Sequence, residues 1–149
     1  MAVIESQWSW PQPFELVEHT ADIGVRVSGR SSAEALARLI LAHAHLVAGG
    51  VRPYGDESLE LQIDIGADQS LAAVDVLREV NRLFAVRRLI AHRVAVLELT
   101  PTRVRVELRC GRYDPTLHAD GLEIKAVTFH RAIFETSGGT CVAQVIFDI

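Results

Sequence analysis

Polar and apolar residues alternate without a break over residues 58–65. Leu59, Leu61, Ile63 and Ile65 share one side, and Ser58, Glu60, Gln62 and Asp64 share the other. A period of two over that length predicts a strand with one buried face. Residues 14–17 read as a short strand, and the alternation recurs over 24–28, where Val25 and Val27 interleave with Arg26 and Ser28. Strands are also expected over 93–99 and 103–109, on either side of a turn at Thr100-Pro101-Thr102. The second of these segments places Val104, Val106 and Leu108 inward and Arg103, Arg105, Glu107 and Arg109 outward. Towards the C-terminus, residues 123–134 and 141–149 read as a hairpin about Ser137-Gly138-Gly139, a turn composition that tolerates positive φ.

Two stretches change to a period near 3.6. Ser31 followed by Glu34 has the spacing of a capping box. Leu36, Leu39, Ile40, His43 and Val47 then fall on one stripe, which Gly49-Gly50 ends. Ser70 is expected to cap a second helix whose Leu71, Val74, Leu77 and Phe84 form the buried stripe. Two main helices between runs of antiparallel strands predict one α+β domain over residues 14–149, built mostly of antiparallel sheet. Residues 1–13 have no period and read as an N-terminal arm, with Trp8 and Trp10 packing back onto the domain.

Composition narrows the range of functions. A chain of 149 residues that is 49% hydrophobic can bury one sizeable core. Its net charge of -4 argues against strong direct nucleic-acid binding, which rests on clustered cations. The one candidate patch is Arg103, Arg105 and Arg109, for which a solvated sheet face is the simpler reading. Cys110 and Cys141 are too few for a disulfide framework and lack metal-ligand spacing, so buried free thiols are expected. No basic flank precedes an apolar run at the N-terminus. The longest apolar stretch, 33–47, is interrupted by Glu34, Arg38, His43 and His45. A soluble cytoplasmic domain with no membrane partner is expected.

Candidate chemistry starts from an imbalance. Of the fifteen Lys and Arg residues, only Lys125 is a lysine. A compact ammonium and a planar guanidinium fork differ most where the charge must be desolvated, so the solitary lysine marks a candidate site. The residues around it, Ile124, Ala126 and Val127, suggest a strand. Asp148 and the carboxylate expected after Ile149 lie within one residue of each other at the end of the last strand, with Phe147 and Ile149 expected to point inward. With Asp22 they would form three hard oxygen anions, suited to Ca2+ or Mg2+; an Asx-turn at Asp22 and a solvated Asp148 are the plainer alternative. His19, His118 and His130 sit near acidic or polar loops, but no histidines have zinc-site spacing.

Three segments taken together resemble the archease family: 14–23 (Phe-Glu-Leu-Val-Glu-His-Thr-Ala-Asp-Ile), 123–130 (Glu-Ile-Lys-Ala-Val-Thr-Phe-His) and 145–149 (Val-Ile-Phe-Asp-Ile). Their order and spacing match, as does Gly29-Arg30-Ser31 at the entry to the first helix. The resemblance implies a non-catalytic accessory protein whose partner is the GTP-dependent, tRNA-splicing RNA ligase. That ligase guanylylates its own histidine with the help of metal ions, and the accessory promotes this step and multiple turnover. The family's functional positions fall on Asp22, Lys125 and Asp148, and His19 is added to them. A divalent metal site, for Ca2+ in a crystal and Mg2+ or Mn2+ in cells, falls on Asp22, Asp148 and Ile149. The chain departs from the family at Ala48-Gly49-Gly50 and Gly111-Arg112, where acidic residues are usual, and at Val80-Asn81-Arg82-Leu83 in the second helix. Two rival readings are a metal-dependent hydrolase or phosphoesterase built on the same carboxylates, and a chaperone-like module using the tryptophans of the arm.

Overall fold

Two four-stranded antiparallel sheets and two helices make up the computed structural model, which describes residues 7–18 and 21–149. The first sheet holds β1 (Gln7–Ser9), β4 (Tyr54–Asp64), β5 (Leu89–Leu99) and β6 (Arg103–Arg112) in the order β1-β5-β6-β4. The second holds β2 (Glu15–Glu18), β3 (Asp22–Gly29), β7 (Ala126–Ser137) and β8 (Thr140–Asp148) in the order β2-β3-β8-β7. The expected α+β class holds.

Helix α1 (Ser32–Val47) packs against β3 and β8 of the second sheet and β5 of the first. A helix held between two sheets is buried almost all round, not on one stripe. Accordingly Ala35, Ala37, Leu41, Ala42 and Ala44 are buried along with Leu36, Leu39, Ile40, His43 and Val47. Ser31 caps it as expected, its Oγ accepting from the Glu34 N–H at 3.1 Å. The Glu34 carboxylate reaches one residue further back than in a capping box, to the Arg30 N–H at 2.8 Å. Gly49 and Gly50, both at positive φ, end the helix. There the loop after β6 presses in: a Cβ on Gly121 would lie 1.9 Å from the Val47 carbonyl oxygen, so only glycine permits this approach. Leu122 N–H then donates to the Leu46 carbonyl at 2.9 Å, satisfying a carbonyl that the helix end leaves open.

Helix α2 (Ala72–Arg87) starts differently from the expectation. Asp68, not Ser70, supplies the cap: its Oδ1 accepts from Ser70 N–H and Oγ–H, opening a 3-10 turn over Gln69–Leu71 that leads into the helix. Val74, Leu77 and Phe84 are buried as the stripe requires, while Leu71 is half-buried.

Several strands also differ from their sequence reading; β5, read over 93–99, starts at Leu89, and β3, read from 24, starts at Asp22. Residues 7–9 of the expected arm form the edge strand β1, paired to β5 through Trp8 and Val94; three residues are too few to show a period. Strand β4 extends back to Tyr54 through a bulge between Tyr54 and Glu57 that breaks the alternation. Strand β7 begins at Ala126, so Lys125 precedes it. The hairpin turn stands at Gly138-Gly139, both at positive φ. Cys110 and Cys141 are buried and free. No helix among the described residues is long and apolar enough to cross a membrane.

Candidate functional site

Strand β8 lies between β3 and β7, and its last residue brings the candidate residues together. Asp148 stands directly opposite Asp22 on β3 and opposite Ala126 on β7. Directly opposed residues of an antiparallel pair project to the same face with Cβ atoms about 4.5–5.5 Å apart, so the two carboxylates are neighbours. On the other side, Lys125 N–H donates to the Asp148 carbonyl at 2.8 Å, carrying the ladder one residue beyond β7. Among the described residues no cation lies within ion-pairing distance of Asp22 or Asp148, and no carboxylate within that distance of Lys125.

Other sequence candidates fall elsewhere. Ile149 follows Asp148 but is 40% exposed instead of turning into the core; Phe147 alone is fully buried. The strand ends at Asp148, so the alternation that would drive Ile149 inward stops one residue short. His19 lies outside the described residues. His118 is buried, its Nδ1 accepting from Asp114 N–H at 2.9 Å. His130 is exposed in a bulge between Thr128 and Ile133. The patch at Arg103, Arg105 and Arg109 is a paired sheet face: Arg103 meets Asp64 at 3.8 Å, Arg105 meets Glu60 at 3.0 Å, and Arg109 meets Asp56 at 2.9 Å.

Helix α2 holds the segment that carries Lys125. Asn81 Nδ2 donates to the Ile124 carbonyl at 3.2 Å, and Arg78 Nε donates to the Val127 carbonyl at 3.0 Å. The Arg78 guanidinium lies 3.9 Å from the centroid of the Phe129 ring. Asn81 Oδ1 in turn stands 2.9 Å from His43 Nε2 on α1. Burial pushes the His43 imidazole down to about 4, so at neutral pH it is uncharged and its Nε2–H donates to Asn81. Sequence reading placed His43 on the buried stripe but did not give Asn81 a role. The missed signal is a polar residue on each apolar stripe, His43 on α1 and Asn81 on α2. Two such interruptions are satisfied most simply by each other.

The tryptophans are engaged by α1. Trp8 Nε1–H donates to Glu34 Oε2 at 3.0 Å, and Trp10 stacks on His45 with ring centroids 5.4 Å apart. Neither is a free apolar hook of the kind a chaperone-like arm would present.

As a metal centre, the Asp22–Asp148 pair fits a hard divalent cation in chemistry: adjacent carboxylates carry an uncompensated repulsion that such an ion relieves. In number the donors are few. Among the described residues no group of three or more His, Cys, Asp and Glu side chains is arranged to hold a metal. Hydration, the main chain after Asp148 or a partner must complete any coordination shell.

Residues 14–149 match the model of the Archease protein family. The chain belongs to the archease family. Protein archease from Methanopyrus kandleri is 29% identical over 140 residues, covering 92% of this chain and 99% of that protein. Protein archease from Pyrococcus furiosus is 29% identical over 149 residues, covering 91% and 98%. The crystal structure of an archease from Thermotoga maritima, described as a possible chaperone, superposes with a TM-score of 0.58 at 24% identity, over 93% of this chain and 97% of that one. A solution structure from Methanobacterium thermoautotrophicum gives a TM-score of 0.67 at 22% identity, over 91% and 98%. The archease fold is therefore shared throughout the described domain.

Proposed function

We propose that this archease is a non-catalytic, cytoplasmic accessory of a GTP-dependent, tRNA-splicing RNA ligase, and that Asp22, Asp148 and Lys125 form its working edge. The observation that carries the reading is the register of β8: it sets Asp22 opposite Asp148 and ties the Lys125 main chain to the same residue. Within this reading, Asp22 and Asp148 are the side chains that hold a divalent ion, Ca2+, Mg2+ or Mn2+, with a main-chain oxygen of Ile149 as a third donor. When bound, that ion supplies positive charge for nucleotide phosphates at the ligase. His19 is assigned a role in the same activation. Lys125, which meets no carboxylate among the described residues, is available to a phosphate or carboxylate of the partner complex.

The test is reconstitution with the purified ligase, reading the initial rate of guanylylation and the number of turnovers. Wild type is expected to raise both. Asp22→Ala and Asp148→Ala are expected to lose most of the gain while remaining folded. Full activation by folded Asp148→Ala would overturn the reading. So would robust phosphoester hydrolysis by the chain alone with Mn2+ or Mg2+, which would favour the hydrolase.

A further inference from the structure

On the other sheet, away from the Asp22–Asp148 edge, two β-bulges flank β6. One interrupts β4 between Tyr54 and Glu57, and the other interrupts β5 between Ala91 and Arg93. A bulge takes residues out of the ladder and re-aims them. Here the first bulge delivers Gly55 and Asp56, and the second delivers His92, to one cavity of about 540 Å³. Gly55 stands at φ +120, a conformation that admits glycine readily. Arg52, Arg93 and Arg109 line the same cavity. Three guanidinium groups therefore face one carboxylate, in a chain whose net charge is -4.

The single carboxylate is already engaged. Asp56 grips Arg109 at two points, Oδ1 to Nε at 3.0 Å and Oδ2 to Nη2 at 2.9 Å. Arg93 stands directly opposite Arg109 in the β5–β6 register, and its guanidinium donates to the neutral Gln7 side chain. Arg52 Nη2 lies 3.2 Å from His92 Nδ1. A guanidinium can only donate, so Nδ1 accepts and Nε2 carries the proton, donating to the Gly55 carbonyl at 2.9 Å. His92 is thus a buried, neutral wall of the cavity. Among the described residues no carboxylate comes within ion-pairing distance of Arg52 or Arg93. Elsewhere on this face the arginines of β6 have an acid: Arg103 has Asp64 and Arg105 has Glu60. Like charges directly opposite on neighbouring strands destabilise a sheet, and the bulges concentrate that cost where an anion would relieve it.

We propose that this cavity binds a phosphate dianion, either inorganic phosphate or the terminal phosphate of a small monoester. Guanidinium forks match phosphate oxygens in pairs. The volume suits a small ligand, since such pockets run from about 300 to 1,000 Å³. An extended nucleic-acid strand fits poorly, because Glu107 adjoins the cavity beside Arg93 and Arg109, and Glu60 follows along the same face. The site lies on a different sheet from the proposed metal edge and does not depend on it.

Calorimetric titration of the full chain tests this, using inorganic phosphate, a nucleoside monophosphate and a short single-stranded RNA at constant ionic strength set by chloride. Unfolding curves in chloride establish that each variant is folded. Inorganic phosphate and the monophosphate are expected to bind, and Arg52→Gln and Arg93→Gln are each expected to weaken binding about tenfold. Asp56→Asn, which removes the competing carboxylate, is expected to tighten it. Absence of binding to wild type, unchanged affinity in both arginine variants, weaker binding by folded Asp56→Asn, or tighter binding of RNA than of the monophosphate would each overturn the proposal.

Discussion

Replacing Asp148 by asparagine removes one of two like charges that the β3–β8 register sets opposite each other. Opposed pairs on neighbouring strands are worth about 0.2–1 kcal/mol, so in chelator Asp148→Asn should be as stable as wild type or more stable by up to that amount. Added Ca2+ should raise the unfolding temperature of wild type more than that of the variant, because a ligand stabilises only in proportion to its affinity for the folded state. Equal shifts in both proteins would exclude a shared ion. At the neighbouring position, Lys125→Arg keeps the charge but replaces a compact ammonium with a wider planar fork. Folding should be unchanged, since the Lys125 side chain is exposed and only its main chain is tied to β8. Ligase activation should fall about tenfold, equivalent to about 1.4 kcal/mol, as read from guanylylation rates.

Polar side chains on the two helices tie them to neighbouring segments, and this gives predictions for the elements. Asn81 joins α2 to His43 on α1 and to the Ile124 carbonyl before β7. Asn81→Ala would orphan both partners, at a cost of about 1–3 kcal/mol each at most, which urea unfolding would measure. Unlike an ordinary core lesion, it should also reduce ligase activation at temperatures where the variant is fully folded, because it releases the segment carrying Lys125. At the other end of α1, Glu34 accepts from the Arg30 main chain and side chain and from Trp8. The Arg30 guanidinium and N–H hold its carboxyl down at about 2. Much of this was legible in the chain. Ser31, Glu34 and the Gly49-Gly50 stop define α1 through purely local rules, and the alternation of 58–65 defines the regular part of β4. What the sequence concealed is non-local or irregular. The side-chain cap belongs to the 3-10 turn that leads into α2 and comes from Asp68, two residues before Ser70, while α2 itself starts after Leu71 with no side-chain cap. The bulges at Gly55-Asp56, His92 and 129–132 break the very period on which strand reading depends. The pairing of Asp22 with Asp148 is non-local: residue chemistry suggests an oxyanion cluster but leaves a turn and a solvated strand end open, and the β3–β8 register sets the two opposite each other.

For the molecule as a whole, acid should act in two stages. His43 has a folded value near 4 against an ordinary 6.5, so the unfolded chain takes up its proton first. The stability held by the neutral imidazole is complete above about 6.5 and is lost as pH falls towards 4. Glu34, lowered from 4.5 to about 2, follows the same sign in a lower window: its contribution is present above 4.5 and is lost on the way to 2. Each stage is worth up to about 3 kcal/mol. Chemical unfolding at a series of pH values should show both. Glu34→Gln should diminish the lower stage and leave the upper one unchanged, and the His43 ring protons should not titrate by NMR above about pH 5.

The placing of β8 between β3 and β7 also bears on how the chain is made. Arg26 of β3 and Gln144 of β8, which share a hydrogen bond, are 118 residues apart. At a synthesis rate of about 5–20 residues per second, β3 waits roughly 6–24 s on the ribosome before its partner is even translated. During that time its open edge is a row of unpaired main-chain groups. The ladder that sets Asp22 beside Asp148 therefore cannot close during translation of the first nine-tenths of the chain. Ribosome-arrested chains stopped before residue 140 should remain protease-sensitive over residues 22–29, and release of a chain that includes residue 148 should protect them in one step. A cell making this protein must shield an unfinished sheet for most of its synthesis.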